Sequence, residues 1–185
     1  MKRNITTNIQ PELFAKHDVT PAINAGAEFS ECGLYRYKLW RIWDESLPLV
    51  MYIGLNPSTA NETSNDNTIT KLCKISRHNG YGGFYMMNCY TYIATKPEKL
   101  IIDLDSTHKN NWLLKMIYES HCKDVVFAWG NFPIIAENGR DKEMIAMFPK
   151  ALCLKINKNG SPKHPLYCKD DSVLIPYTPK HNLIK

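Results

Sequence analysis

The sequence has no long hydrophobic run. No window approaches the roughly 20 consecutive apolar residues that a transmembrane helix needs. The opening stretch MKRNITTNIQPELF carries two basic residues but lacks the apolar centre of a signal peptide. We therefore expect a cytoplasmic protein with no membrane partner.

Paired cysteines are missing as well. The six cysteines are widely scattered and include no C-x-x-C pair, which is the spacing typical of zinc and iron–sulfur sites. In a cytoplasmic chain we expect them to be reduced thiols that mostly fill the core. The sequence therefore predicts neither a metal nor a cofactor.

Internal repeats and low-complexity tracts are also absent. With 185 residues, of which 44% are hydrophobic and 22% charged, the chain has the composition of one globular domain. Residues 1–28 show no sustained apolar period and contain Pro11 and Pro21. We predict an N-terminal extension over 1–28, with a short helical piece, and a single domain over 29–185.

Positive charge is in excess. The net charge is +5 and lysines are concentrated in the last third of the chain, at Lys150, Lys155, Lys158, Lys163 and Lys169. A basic surface attracts polyanions such as nucleic acid or nucleotide phosphates. A solvated lysine-rich face explains the same charge equally well.

Apolar strands and amphipathic helices alternate along the chain. LPLVMYIGL is a continuous apolar run typical of a strand covered on both faces. Three further strands are predicted at GFYMMNCYTY, DVVFAWGN and ALCLKI, with helices that begin at Asp66 or Asn67, at Ser106 and near Pro133. This order predicts an α/β fold: a three-layer α/β/α sandwich with a mainly parallel four-stranded sheet. The aromatic stretch LYRYKLWRIW is predicted to add an N-terminal edge strand or hairpin.

Polar residues follow each predicted strand. In open parallel sheets, ligands bind beyond the carboxyl ends of the strands. Turn formation, capping or core packing explains each of these residues taken alone, but their combination on one rim favours a ligand site. The candidate site residues are Gly54, Leu55, Asn56, Pro57, Ser58, Asn88, Tyr90, Trp129, Gly130, His164 and Pro165.

The motifs that carry these residues resemble a known family. YRYKLWRIW, GLNPSTA, NDNTI, MNCYTYIATKP, AWG and GSPKHPLY are similar to the bacterial and phage family catalogued as domain of unknown function 1643, a resemblance that implies no reaction. The order of the motifs more distantly resembles the uracil-DNA glycosylase superfamily. The shared features are a G-x-[DN]-P turn, an asparagine in the second strand, a Trp-Gly strand end and a His-Pro loop.

The superfamily resemblance implies roles for individual residues. Asn56 falls where the attacking water is oriented, Asn88 where a base edge is read, and His164 where the departing base is stabilised. Ser58 stands where uracil-specific enzymes have a tyrosine that closes the space beside the pyrimidine 5-position. The other candidates are implied to line the site, and the implied partner is a nucleobase, a nucleotide or DNA.

Two functions, and a third purely structural account, stay open at this point. The first is a glycosylase-like hydrolase that cleaves an N-glycosidic bond to uracil or a 5-substituted pyrimidine. It would need a hydrogen-bond donor for the departing base, while Asn56 could only hold water because an amide has no useful basicity. The second is a non-catalytic module that binds a nucleotide or modified base. In the third account, the rim residues are only turns.

Overall fold

The structure is a computed structural model that describes residues 22–179. Its elements in chain order are β1 (Asn24–Phe29), β2 (Arg36–Ile42), β3 (Leu49–Gly54), α1 (Asn67–His78), β4 (Gly83–Asn88), α2 (Leu104–His121), β5 (Asp124–Phe127), α3 (Pro133–Glu137), α4 (Arg140–Met147), β6 (Leu152–Cys153) and β7 (Ile175–Pro176). Single 3₁₀ turns occupy Pro97–Lys99 and Pro165–Tyr167. Within the described residues, no helix combines the length and the apolarity that crossing a membrane requires.

Within residues 22–179 the strands form one mixed sheet of seven, in the order β1-β2-β4-β3-β5-β6-β7. The pairs β3–β4, β3–β5 and β5–β6 are parallel, whereas β1–β2, β2–β4 and β6–β7 are antiparallel. The prediction of a mainly parallel four-stranded sheet is therefore wrong, although the α/β character holds.

The error comes from strands at the two ends of the described chain. β1 has only a weak alternation, with Ala25, Ala27 and Phe29 as its apolar positions, and β7 is two residues long. Each pairs with backbone groups that a neighbouring strand offers. The stretch at 34–43 was expected to form an edge strand or a hairpin. Its strand β2 is not at the edge but lies between β1, with which it pairs antiparallel, and β4. β1 begins within the predicted extension, and the boundary at residue 28 stays a prediction. The helical piece predicted near the N-terminus lies in residues 1–21, outside the described residues.

β3 connects two hydrophobic clusters, one on each face of the sheet. Val50 and Tyr52 face a cluster that includes Leu72 of α1. Met51 and Ile53 face a second cluster, built with α2 and α4. Successive side chains of a strand point to opposite faces, so a strand buried on both faces must be apolar at every position. The continuous run at 49–53 reflects this burial.

Helix starts follow the sequence signals with two corrections. Asp66 caps α1, with its carboxylate accepting from the Ile69 N–H at 2.8 Å. α2 is capped by Asp103 rather than by Ser106. The helix expected after Pro133 is divided into α3 and α4 at Gly139, which has a φ of 66°. A left-handed residue interrupts helical hydrogen bonding, and glycine adopts this conformation without a Cβ penalty.

Gly82 lies just before β4, close to the backbone of Asp44 in the segment that leads into β3. An added Cβ would lie 1.9 Å from the Asp44 carbonyl oxygen. We expect Gly82→Ala to lower the free energy of unfolding by about 3 kcal/mol through overpacking. Gly80→Ala is the matched control, because Gly80 has a φ of +78° but no heavy atom within 4 Å of an added Cβ. It should cost about 1 kcal/mol from strain alone. Equal losses in urea denaturation would contradict the clash.

Candidate functional site

The chain leaving β3 is held against the chain leaving β4. The Tyr90 N–H donates to the Leu55 carbonyl at 3.0 Å, and the Ala94 N–H donates to the Pro57 carbonyl at 3.0 Å. Leu55 and Pro57 are buried. The NPST turn is therefore an extension of the parallel β3–β4 pairing, which gives its side chains defined positions at the carboxyl edge of the sheet.

Asn56 is fixed by its own amide. Its Nδ2 donates to the carbonyl oxygens of Pro57 at 2.9 Å and Ala94 at 2.8 Å. Both N–H groups are thus used, and within residues 22–179 no group donates to Oδ1. The planar amide therefore presents Oδ1 as an acceptor in a fixed orientation. This arrangement suits holding a water molecule and provides no proton acceptor.

Asn88 joins the two strand ends and is only 2% exposed. Its amide is satisfied when Nδ2 donates to the carbonyl oxygens of Met87 at 3.3 Å and Asn56 at 3.2 Å. The amide lies so close to Gly54 that an added Cβ there would approach it to 2.8 Å. The absence of a side chain at Gly54 leaves room for this contact. The reading of a base edge by Asn88 stays a prediction.

His164 lies beside the end of β5. A Cβ added to Gly130, whose φ is +81°, would lie 3.1 Å from the His164 Cβ. The imidazole is half-buried, and its Nδ1 accepts from the Leu166 N–H at 3.3 Å. A neutral imidazole that accepts at Nδ1 carries its proton on Nε2.

The surroundings of His164 favour that neutral form. Burial lowers the pKa of the imidazole below its ordinary value, while the nearby Asp66 carboxylate acts in the opposite direction. Because desolvation disfavours the charged form of a histidine, the side chain is a neutral N–H donor at neutral pH. Asp66 therefore caps α1 and also lies within electrostatic reach of the site.

The two aromatic candidates are buried components of the core. Trp129 is 1% exposed and packs against Phe127 and Tyr177, with ring centroids 4.5 and 6.2 Å away. Tyr90 is 3% exposed, and burial raises its pKa to about 12. Among the described residues its buried hydroxyl has no hydrogen-bond partner. Both residues pack into the hydrophobic core just beyond the ends of β4 and β5.

The structure brings the remaining candidates into two contact groups on neighbouring strand ends. Gly54, Asn56 and Asn88 form the first, after β3 and β4. Gly130 and His164 form the second, after β5. Within residues 22–179 no hydrogen bond joins the two groups. Ser58 is half-buried and Pro165 buried, and Pro165 opens the 3₁₀ turn that follows His164.

Two buried arginines that sequence reasoning missed hold the segment between the turn and α1. Arg36 is 3% and Arg41 1% exposed. The Arg36 Nη1 donates to the Ala60 carbonyl at 2.6 Å, and the Arg41 Nη2 donates to the Asn61 carbonyl at 2.7 Å. Segment 60–65 is therefore tied to β2 rather than free in solvent.

A strand irregularity explains why both arginines reach this segment. Arg36 and Arg41 are an odd number of residues apart, so regular alternation would place them on opposite faces. The β1–β2 register shifts between Glu28 and Phe29, and such a bulge re-aims side chains. The signal available in the sequence was two arginines within an aromatic strand. The local sequence pattern alone would place the side chains of these arginines in solvent.

The match to known families covers this whole site. Residues 36–166, more than half of the 185-residue chain, match the model of a family described as a protein of unknown function, DUF1643. The chain belongs to the DUF1643 family. Neither a curated protein nor a solved structure matches it significantly. The DUF1643 resemblance expected from the motifs is thus confirmed, while the more distant one to uracil-DNA glycosylases stays a prediction.

The DUF1643 match runs from β2 to the turn after His164 and includes every candidate site residue.

In the described part of the chain, no group of three or more His, Cys, Asp or Glu residues could hold a metal ion. All six cysteines are free thiols, with Cys73, Cys89 and Cys153 buried.

The first prediction of the site concerns Asn56. We expect Asn56→Ala to lower the free energy of unfolding by about 2 kcal/mol, because two backbone carbonyls lose their donor. Asn67→Ala is the control, since Asn67 is exposed and should change stability by less than about 0.5 kcal/mol. Urea denaturation of both variants measures the difference, and a neutral Asn56→Ala would mean that the amide does not hold the turn.

The second prediction of the site concerns the protonation of His164. Nuclear magnetic resonance titration should give this imidazole a pKa below 6.5, with the Nε2–H tautomer above it; His164→Gln assigns the signal. The folded state resists protonation of His164, so the imidazole takes up a proton on unfolding when the pH is below 6.5. The free energy of unfolding therefore decreases at acid pH because of this residue. His164→Gln should reduce that acid loss. A pKa at or above 6.5, or an Nδ1–H tautomer, would contradict the assignment.

Proposed function

We propose that the protein recognises a nucleobase or nucleotide in the cytoplasm and hydrolyses an N-glycosidic bond to a pyrimidine, either uracil or a 5-substituted base. The observation that carries the proposal is the neutral His164, whose Nδ1 is occupied by the Leu166 N–H and whose Nε2–H is left as a donor. Glycosidic cleavage releases an anionic base, and a positioned N–H stabilises that developing charge.

Asn56 supports the second half of the reaction. Its oriented Oδ1 holds the water that adds to the sugar once the base begins to depart. An amide cannot take the proton from that water, so the proton goes to the released anionic base or to solvent, and the rate depends on stabilising the departing base. The proposed enzyme is accordingly slow.

Positive charge near the rim favours an anionic ligand. Arg36 and Arg41 are buried beneath segment 60–65, and burial lowers the pKa of Arg36 to about 10, with Asp66 acting against this shift. Among the described residues neither guanidinium forms an ion pair. Buried positive charge that is incompletely compensated attracts a phosphate or an anionic base.

The order of motifs supports the choice of a pyrimidine. It resembles the uracil-DNA glycosylase superfamily, and Ser58 stands where a tyrosine would close the space beside the 5-position. A small residue there admits thymine-like or larger 5-substituents.

A non-catalytic binding module is the alternative. It is favoured by the absence of a basic atom on Asn56 and by Asn88, which is 2% exposed and donates to backbone carbonyls. Such a module would hold the nucleotide with His164 and leave the glycosidic bond intact.

The test of the proposed function is release of free base. Purified protein at stoichiometric concentration is incubated with nucleotides and oligonucleotides that contain uracil, mispaired thymine or 5-modified pyrimidines, and the products are separated by chromatography with mass detection. We expect release of at least one base, and a decrease of about 10²-fold or more in His164→Ala, because one charge-stabilising donor is lost.

The matched control is His108→Ala, an exposed histidine of α2, which should release base at the wild-type rate. Nucleotide binding without release would instead support the binding module. No release and no binding across the whole set of substrates would overturn both functions.

A further inference from the structure

Two large side chains next to His164 are exposed to solvent. Leu166 is 41% and Tyr167 75% exposed, and both lie in the 3₁₀ turn that His164 begins. The ring centroid of Tyr167 lies 6.1 Å from that of His164. An aromatic face is therefore presented to solvent immediately beside the proposed donor.

Five lysines lie near this turn, either in sequence or through contacts with the loop that follows it, and we call them the lysine collar. Its members are Lys71, Lys74, Lys155, Lys163 and Lys169. The Lys163 N–H donates to the Lys155 carbonyl at 2.7 Å, which places two of these lysines side by side. Burial raises the pKa of the Cys168 thiol, one residue beyond Tyr167, and the charges of Lys163, Lys71 and Lys155 act to lower it.

The collar keeps an excess of positive charge. Lys71 and Lys74 of α1 both pair with Asp170, at 2.5 and 2.9 Å, and these pairs hold the loop against the helix. Lys155, Lys163 and Lys169 form no ion pair within residues 22–179. Unpaired surface ammonium groups attract phosphates and release counterions when phosphate binds.

We propose that Tyr167 and the lysine collar bind single-stranded nucleic acid, with a base stacked on Tyr167 and the backbone phosphates on the lysines. An exposed ring flanked by lysines suits an unpaired strand, because aromatic stacking needs a free base face and lysine attraction follows the backbone. In a duplex the base faces are already covered. The proposal rests on the proposed function, since the strand bound here would bring a nucleotide to His164.

Fluorescence anisotropy tests the surface with labelled oligothymidine, its oligouridine counterpart and a duplex of equal length. We expect single strands to bind more tightly than the duplex. Tyr167→Ala should weaken single-strand binding about tenfold through loss of one stacked base and leave duplex binding nearly unchanged. The two single strands show whether the natural strand is DNA or RNA.

Matched controls come from α2, which packs on the opposite face of the sheet from α1. Trp112 is 65% exposed, so Trp112→Ala removes an equally accessible ring and should bind as the wild type does. Lys163→Gln and Lys169→Gln should each reduce the slope of log affinity against log salt by about 0.7. Lys115→Gln, an exposed lysine of α2, should leave that slope unchanged.

The outcome is separable from that of the proposed function. His164→Ala, with folding checked by thermal denaturation, should lose base release, while Tyr167→Ala should still weaken single-strand binding when it is added to this variant, because the strand is held by Tyr167 and the collar. Single-strand binding without base release in the wild type would retain this surface and discard the hydrolase. Equal losses in Tyr167→Ala and Trp112→Ala, or equal affinity for single strand and duplex, would overturn the surface.

Discussion

The candidate site depends on one close contact, the packing of the Asn88 amide over Gly54 and against the Asn56 carbonyl. Because residue 54 has no side chain, the amide can join the ends of two parallel strands. Asn56 extends the same contact by donating to Pro57 and Ala94. Buried amides with satisfied donors make a turn rigid. A rigid turn holds the side-chain Oδ1 of Asn56 in a single orientation.

The second half of the rim has a different physical basis. His164 is held by the Leu166 N–H and by contact with Gly130, and burial keeps it neutral. The proposed chemistry accordingly divides between a fixed acceptor after β3 and a neutral donor after β5. Neither side chain is a strong base or nucleophile, so any catalysis here stabilises a departing group and does not activate an attacking one.

The surface around Tyr167 also combines a side chain in a fixed position with nearby charge. The turn after His164 exposes Tyr167, while the loop that carries it is held on α1 by Asp170. Surface ion pairs contribute little stability, and the Asn79 amide at the end of α1 also holds this part of the chain by donating to the Ser172 carbonyl at 2.9 Å. Three lysines that form no ion pair within residues 22–179, Lys155, Lys163 and Lys169, lie near the turn that follows His164.

Local rules sufficed for two features. The apolar run at 49–53 determined a strand buried on both faces, and Asp66 determined the start of α1. The ligand site expected at the strand ends stays a prediction. Only tertiary structure decided the rest, including the mixed seven-stranded sheet and the burial of Arg36 and Arg41. Periodicity and capping act between residues a few positions apart, whereas strand partners and the carbonyls that receive a buried guanidinium come from distant parts of the chain.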